Sequence, residues 1–466
     1  MVDVHFVPGN GPVQLKLSEW DDIPGNLMAQ NSYIRCCWRG KKRPLVVQEL
    51  HLADLLGAVF DREKAQLHLV HCPRGRAGSR VREDVLLQIT GGPEVLKEAE
   101  SWARDISSKC YKAGPMGAVR KFHVFINPAS GSGQALVKWR EANELFKCLP
   151  WFSIQEVLTT RAGEACEVAA QLQRDSCDGI IVVSGDGMVH EVFNGLAGRP
   201  DAADALQIPV GHIPGGSGNA FAKSVLHSAG ESYGVLDAAF LIAKGRTQNL
   251  DLMMVSQPSQ AKRTSFLSLT GAIIADIDLG SEFLRFLGGL RFPVYTVYCL
   301  LKPTLLEAEI SYWPATASTS PDPASVPALD APLPEGPWVT MRDSFSVFWA
   351  TNMAWTSYDV HLSPGHSMGS QTWHLAILRN VGRGPLLKFL TGLETGSHVN
   401  MNQTEIIECK AFRVVPISSS AGSSRERFAI DGEEIPFEPI QLWPTFGGHV
   451  LGAPHEEEVG GVMASL

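Results

Sequence analysis

A carboxylate set between two glycines, where a buried strand gives way to a helix, constrains this chain more than any other feature. The run Gly179-Ile180-Ile181-Val182-Val183 is short, β-branched and bounded by turn residues, which predicts a fully buried strand. Ser184-Gly185-Asp186-Gly187 follows. Beyond it, Val189, Val192, Phe193 and Leu196 fall at i, i+3, i+4 and i+7, one face of a helix. Glycines there let the backbone approach a ligand closely, and the helix start offers free N–H groups and a positive dipole end to an anion. A base beside a phosphate cradle is the layout phosphoryl transfer needs. Taken alone, the segment fits an ordinary turn containing Asp equally well.

The same grammar recurs around it. Lys121 to Ile126 is a strand that runs into Asn127-Pro128-Ala129-Ser130-Gly131-Ser132-Gly133 and a helix from Gln134 through Phe146. Ile154 to Leu158 is followed by Thr159-Thr160-Arg161-Ala162-Gly163-Glu164-Ala165 and a helix to Leu172. Pro209 to Ile213 ends in Pro214-Gly215-Gly216-Ser217-Gly218-Asn219-Ala220. Alternating strand and helix over 116–250 predicts a parallel α/β domain, with its loops at the strand ends where ligands bind in such sheets.

A chain of 466 residues is too long for one core. Residues 1–115 read as short strands (Val13 to Leu17, Tyr33 to Arg39, Gln66 to His71, Asp84 to Ile89) closed by an amphipathic helix from Glu94 to Ile106, which fits a small pleckstrin-homology-like barrel. Lys41-Lys42-Arg43 and Arg74, Arg76, Arg80 and Arg82 suit either anionic headgroups or a solvated loop. Residues 251–445 are strand-rich, with a Pro/Ala/Ser-rich flexible or disordered insertion at 314–337 and a short apolar helix from Leu386 to Leu393. Residues 446–466 read as a tail. A net charge of -9 gives nucleic-acid binding no support. Nine scattered cysteines suit reduced thiols and a cytoplasmic setting. No secretory signal or membrane-spanning run is visible, so membrane association is expected to be peripheral and reversible. Nothing sets the oligomeric state.

There is no Gly-x-x-x-x-Gly-Lys-Ser/Thr loop, no His-Arg-Asp loop and no His-Glu-x-x-His pair, since Asn194 holds the last position after His190-Glu191. What remains is three glycine-rich turns after strands of one sheet, plus one carboxylate. The Asn127, Ser184 and Pro214 motifs resemble the nucleotide-site motifs of the diacylglycerol-kinase catalytic superfamily. Ser268-Leu-Thr-Gly-Ala-Ile-Ile-Ala-Asp-Ile-Asp-Leu-Gly-Ser-Glu282, followed by Arg285 and Arg291-Phe292, is similar to sphingosine kinases in particular, as is Ile430-Asp431-Gly432-Glu433. The resemblance covers about 120–440 in the same order. It implies an α/β nucleotide-binding domain followed by an antiparallel β-sandwich lipid-binding domain, with ATP and Mg2+ as cofactors and a sphingoid base as substrate.

Roles follow from the resemblance. Asp186 would take the proton from the primary hydroxyl of the lipid, and Ser184, Gly185 and Gly187 would shape the hydroxyl site. Asn127, Pro128, Ala129, Thr159, Thr160, Arg161, Ala162, Gly163, Glu191, Gly216, Ser217 and Gly218 would hold the nucleotide. Arg285 and Arg291 would contact phosphates, and Asp431, Gly432, Glu433 and Glu282 would lie near phosphate and Mg2+; individual metal ligands are not assigned. Ser268 lies in the lipid site. Asp278 would pair with the lipid ammonium, a charge-assisted bond worth roughly 1.5–3 kcal/mol that a neutral diacylglycerol cannot form. Leu386, Phe389, Leu390, Leu393 and His398 would line the acyl tunnel. On pattern alone Leu386 to Leu393 fits core better than a lipid tunnel, and Asp276 and Asp278 share a face only in a strand. Ser130, Ser132 and Gln134 depart from the family pattern, and Thr270-Gly271-Ala272 replaces a bulkier Ala-Trp-Gly. The rival readings are a ceramide or diacylglycerol kinase and a non-catalytic lipid-binding scaffold.

Overall fold

The computed structural model describes residues 2–6, 12–15, 33–38, 46–89, 91–111, 118–281, 283, 291–417 and 426–452. Strands Val2–Phe6, Pro12–Leu15, Tyr33–Trp38, Val46–His51, Leu55–Asp61, Gln66–His71 and Val85–Ile89 (β1–β7) form one antiparallel sheet in the order β4-β3-β2-β1-β7-β6-β5. Helix α1 (Pro93–Cys110) starts on Pro93, where no N–H is needed, and buries Ala99, Ala103, Ile106 and Cys110 against Leu55, Leu67, Leu69 and Leu87. β1, β4 and β5 were not foreseen. Three arginines of the basic cluster are paired within the protein: Arg74 and Arg80 bind Glu231, Arg80 also binds Asp54, and Arg82 binds Asp84. Lys41 to Arg43 lie outside the described residues.

The α/β unit runs β8 (Arg120–Ile126), α2 (Ala135–Phe146), β9 (Phe152–Leu158), α3 (Glu164–Gln171), β10 (Gly179–Ser184), α4 (Asp186–Ala197), α5 (Ala202–Ala205), β11 (Val210–Pro214), α6 (Ala220–Ser228), α7 (Val235–Lys244) and β12 (Thr247–Leu250). The four strands β9-β8-β10-β11 are parallel, and every residue of β10 is buried, as its apolar run requires. Ile126, Val183 and Ile213 stand level, with Leu158 paired to Ile126. All four following loops therefore leave one edge of the sheet.

The strand-rich unit contains β13 (Met253–Gln257), β14 (Gln260–Ser265), β15 (Ser268–Ala272), α8 (Ile273–Gly280), α9 (Arg291–Leu301), β16 (Leu306–Pro314), β17 (Val339–Thr351), β18 (Trp373–Arg379), α10 (Arg383–Gly392), β19 (Thr404–Pro416), β20 (Phe428–Ile430), β21 (Glu433–Ile435) and β22 (Ile440–Pro444). Its ten strands form a wholly antiparallel sheet. The long strands β17 and β19 each pair with both β16 and β18, which closes those four into a ring. Phe348, Trp373, Leu375 and Phe412 belong to one core cluster of this unit. A second cluster joins Ile273 and Ile274 of α8, Cys299 of α9 and Leu386 and Phe389 of α10 to Val347 and Leu378 of the sheet.

Two expectations are corrected. The 314–337 stretch is packed rather than flexible or disordered. Arg413 donates to the carbonyls of Ala328 (3.3 Å) and Ala331 (2.8 Å), Gln441 to Pro327 (2.6 Å), Trp443 to Asp322 (2.8 Å) and Lys410 to Ala317 (2.9 Å), and Val326 packs with Trp313, Trp338 and Trp443. Nor is 446–466 wholly a tail. Gly448–Leu451 is a strand, β23, inserted in the sheet of the α/β unit parallel to β11 and antiparallel to β12; 453–466 lie outside the described residues.

Candidate active site

Three glycine loops meet backbone to backbone at the level edge of the α/β sheet. A Cβ on Gly216 would overlap the Cα of Gly185, one on Gly215 would stand 2.9 Å from the Ser184 nitrogen, and one on Gly131 would stand 2.9 Å from the Gly215 carbonyl oxygen. Gly131 also needs φ +57°, the left-handed region open to glycine. These contacts explain why the motifs need glycine where they have it. Ser184 donates its hydroxyl to Ser130 (3.1 Å), so the serine that departs from the family pattern ties the first two loops together. In the first loop Asn127 accepts the Ala129 N–H (2.9 Å), with Pro128 between them, and Lys138 of α2 donates to the Pro214 carbonyl (2.9 Å).

Asp186 is the first residue of α4 and is half-buried. Its two oxygens accept the N–H groups of Ala220 (2.9 Å) and Phe221 (3.0 Å), so it caps α6 across the loop junction. A carboxylate offers about four lone-pair sites, and these bonds use two. Beneath it, His212 donates to the Ser184 carbonyl (2.9 Å); burial pushes this imidazole below its ordinary pKa, against the pull of the Asp186 charge. In the third loop, flanked by Ser217 and Gly218, Gly216 donates to the Asn219 carboxamide oxygen (2.8 Å) and Asn219 donates back to the Gly216 carbonyl (2.8 Å).

The 159–163 loop is held from within. Thr159 is bonded to the Ile126 carbonyl. Glu164 accepts from Thr160 N–H (2.6 Å) and Arg161 N–H (3.3 Å), which holds its carboxyl below the usual range, Thr160 first. Arg161 pairs with Glu167 (2.5 Å), Ala162 is exposed, and Gly163 takes φ +80° to open α3. Glu191 accepts the Ala165 N–H (3.1 Å) and so caps α3. By contrast, neither α2 nor α4 has a side-chain cap on its first turn. Their N-terminal N–H groups and dipole ends face the loops.

From the strand-rich unit, the Asp431-Gly432-Glu433 turn reaches the same place. Glu433 is exposed, and its Oε1 lies 3.4 Å from where a Gly187 Cβ would be. Asp431 differs. Its side chain is fully buried, and it accepts from Ser265 Oγ (2.7 Å), Leu267 N–H (3.0 Å) and Ser268 N–H (2.9 Å) at Oδ1, and from Phe266 N–H (3.2 Å) and His190 Nδ1 (2.8 Å) at Oδ2. Five donors fill its lone pairs, so Asp431 ties α4 to the β14–β15 connection and is not open to a metal. Ser268 supplies one of those donors from a buried strand position.

Asp276 and Asp278 lie on a helix, α8, and so diverge: Asp276 is buried with the Thr304 hydroxyl on its carboxylate, while Asp278 is half-buried with Oδ2 4.0 Å from where a Gly432 Cβ would be. Leu386, Phe389 and Leu393 are buried and Leu390 partly so, in the cluster shared with α8 and α9. His398 is fully buried, bonds the Leu362 carbonyl (2.9 Å) and packs edge-on against Phe389. Glu282 and Arg285 lie outside the described residues, and Arg291 begins α9. His190, Asn194, Lys138, Asn219 and Ser130 were not foreseen as parts of the site. Only Ser-Gly-Asn-Ala before a helix hinted at Asn219.

Residues 121–255 match the diacylglycerol kinase catalytic domain family. The chain is 30% identical over 351 residues to "Sphingosine kinase 1" of Mus musculus, covering 70% of this chain and 90% of that protein. It is 32% identical to "Sphingoid long chain base kinase 4" of Schizosaccharomyces pombe, covering 69% of this chain and 72% of that one. In fold it resembles a putative diacylglycerol kinase from Bacillus anthracis at TM-score 0.52 and 15% identity, over 73% of this chain and 99% of that one. The three glycine loops, the carboxylate at their junction and these likenesses agree: the chain belongs to the sphingosine kinase family, lipid kinases of sphingoid bases built on the diacylglycerol kinase catalytic fold.

Proposed function

We propose that Asp186 is the general base of an ATP-dependent sphingoid-base kinase. The hydroxyl oxygen of the lipid bonds to the γ-phosphorus as the bond from that phosphorus to the β,γ-bridging oxygen breaks. ADP leaves with the electron pair, and the hydroxyl proton passes to Asp186. Its two remaining lone-pair sites suit this, and a carboxylate held by two N–H groups suits a proton lost late in a loose transition state. The observation that carries the reading is the meeting of three glycine loops around a carboxylate that already caps a helix.

Asn127 to Ala129, Thr159 to Gly163, Glu191 and Gly216 to Gly218 frame the nucleotide, with its phosphates at the uncapped starts of α2 and α4. Arg285 and Arg291 complete the charge neutralisation. Among the described residues no group of three or more His, Cys, Asp or Glu could hold a metal. The exposed Glu433, with Glu282, is the carboxylate we assign to Mg2+. Bound there, Mg2+ would neutralise phosphate charge.

The resemblance and the second apolar cluster support a lipid-binding β-sandwich in 251–445 below the α/β domain of 116–250, with Asp278 on the ammonium and Leu386, Phe389, Leu390, Leu393 and His398 along the acyl chain. Val294, Val297, Tyr298 and Leu301 are exposed at i, i+3, i+4 and i+7 on α9, with Phe283 71% and Leu387 48% exposed. That apolar stripe supports peripheral membrane contact beside the lipid cluster. Among the described residues no helix is long and apolar enough to cross a membrane. The seven strands and α1 support a pleckstrin-homology-like module in 1–115.

The test is a kinase assay with sphingosine, ceramide and diacylglycerol on wild type, Asp186→Asn and Asp278→Asn. Sphingosine is expected to be the substrate, Asp186→Asn to abolish turnover, and Asp278→Asn to raise the KM for sphingosine about 10-fold or more. Full turnover by Asp186→Asn would remove the base. An unchanged KM in Asp278→Asn would remove the ammonium pairing alone.

A further inference from the structure

The N-terminal sheet packs on the α/β unit at several points, among them Arg82 on the Glu144 carbonyl and Lys244 on the Leu52 and Leu55 carbonyls, and it holds 230–237, which runs from the α6–α7 loop into the first turn of α7, through a buried charge cluster. Arg80, with a side chain 5% exposed, donates to both Glu231 oxygens (2.9 and 2.5 Å), to Asp54 and to the Cys72 carbonyl (2.9 Å). Its backbone N–H donates to Asp237 (2.9 Å), and its guanidinium lies 4.0 Å over the Phe240 ring. Arg74 adds a bond to Glu231 (3.1 Å). A bidentate pair inside a buried interface fixes geometry better than a single-point contact.

The middle of the same loop points the other way. The Tyr233 hydroxyl accepts a bond from Asn219 Nδ2 (2.9 Å), and its ring stacks on Tyr358 at 5.9 Å. Tyr358 N–H in turn donates to the Gly218 carbonyl (2.8 Å). Asn219 holds φ +52°, a conformation asparagine tolerates but does not prefer, and its carboxamide makes both bonds that close the turn at Gly216. A side chain carrying three hydrogen bonds from a strained backbone needs an external support. Tyr233 is that support, and Arg80 holds the loop that carries Tyr233.

We infer that the N-terminal sheet is a working part of the nucleotide site: Arg80 fixes loop 230–237, and Tyr233 in that loop is a positioning residue that sets Asn219 and the Gly216 turn. The inference rests on the third glycine loop being a nucleotide loop, as proposed above. Its signature is a selective loss of ATP binding, because neither residue approaches the lipid cluster.

Steady-state kinetics of the full chain, with ATP and sphingosine varied separately, test it alongside thermal unfolding. Tyr233→Phe removes one hydroxyl and keeps the stacked ring. It is expected to raise the KM for ATP about 5-fold, the loss of one neutral hydrogen bond, with the KM for sphingosine unchanged and the melting temperature lowered by about 2 °C at most. The double variant Arg80→Met/Glu231→Leu removes the buried bidentate pair, leaving the part-exposed Asp54 and Arg74 without it, and is expected to raise the KM for ATP with that for sphingosine unchanged. Gly216→Ala probes the loop itself. If Gly216→Ala leaves the KM for ATP unchanged, the nucleotide assignment of the loop fails and this inference falls with it. If Gly216→Ala raises it while Tyr233→Phe does not, the positioning role is overturned and the assignment stands. A double variant that melts lower with its KM for ATP unaltered reduces Arg80 to a structural tie.

Discussion

Asp431→Asn is expected to destabilise the protein before it weakens any metal. The carboxylate has three donors on Oδ1 and two on Oδ2. An asparagine oxygen can serve the first set, but its NH2 must then face the Phe266 N–H and His190 Nδ1. The imidazole can accept at Nδ1 only by carrying its proton on Nε2, which faces the Asn194 amide nitrogen at 3.2 Å. Two charge-assisted bonds are lost and two donors are left facing donors. At roughly 1.5–3 kcal/mol for each bond to a charged group, the cost is about 3–6 kcal/mol. Urea unfolding followed by tryptophan fluorescence reads that loss as a lower midpoint, and Ser265→Ala, which removes one donor only, is expected to cost about 1.5–3 kcal/mol. A Mg2+ titration of kinase activity on the same samples supplies the contrast. An Asp431→Asn protein with an unshifted urea midpoint but a raised Mg2+ requirement would refute the reasoning and return Asp431 to the metal.

Other outcomes follow from single contacts. Burial pushes Asp251 up to about 6, so its folded pKa lies above its unfolded one. Its stabilising effect is present in acid and is lost as pH rises through about 4 to about 6; Asp251→Asn, which can still accept the Gln371 N–H, is expected to flatten that slope and to gain about 1–3 kcal/mol at pH near 8, read by thermal unfolding across pH. Val297→Asp with Leu301→Asp on the exposed α9 stripe is expected to cut cosedimentation with lipid vesicles while turnover of detergent-dispersed sphingosine persists. Arg413→Met leaves the Ala328 and Ala331 carbonyls without their donor and is expected to open 315–337 to limited proteolysis, with cleavage mapped by mass spectrometry.

What could be read from the amino acids was whatever local spacing controls. The runs at 122–126, 179–183 and 210–213 announce buried parallel strands because both faces must be apolar, and the loops after them announce a ligand because their glycines admit close backbone contact. Asp186 was legible for that reason. Its bond to α6 was not, since Ala220 and Phe221 lie 34 and 35 positions away and donate only backbone N–H groups. Asp431 was legible as a motif but its partners were not, because its donors come from residues 163 to 241 positions distant. The Pro/Ala/Ser composition of 314–337 suggests a flexible segment because it offers few large apolar side chains. Its order is imposed by Arg413, Gln441, Trp443 and Lys410, which reach it from strands. The four residues of β23 are too few for any periodicity to stand out.

That last strand has a consequence for synthesis. β23 separates β11 from β12, so β12 has no partner in its sheet until residue 448 has been made. The α/β unit is therefore translated early but cannot be finished until the whole strand-rich unit has emerged. Val210 waits for Val450 across a separation of 240 positions, and closing so long a loop is intrinsically slow. During that interval the edge of β11 is an open template for other strands, which leaves the nascent chain prone to mispairing. A truncation before residue 448 would make that interval permanent.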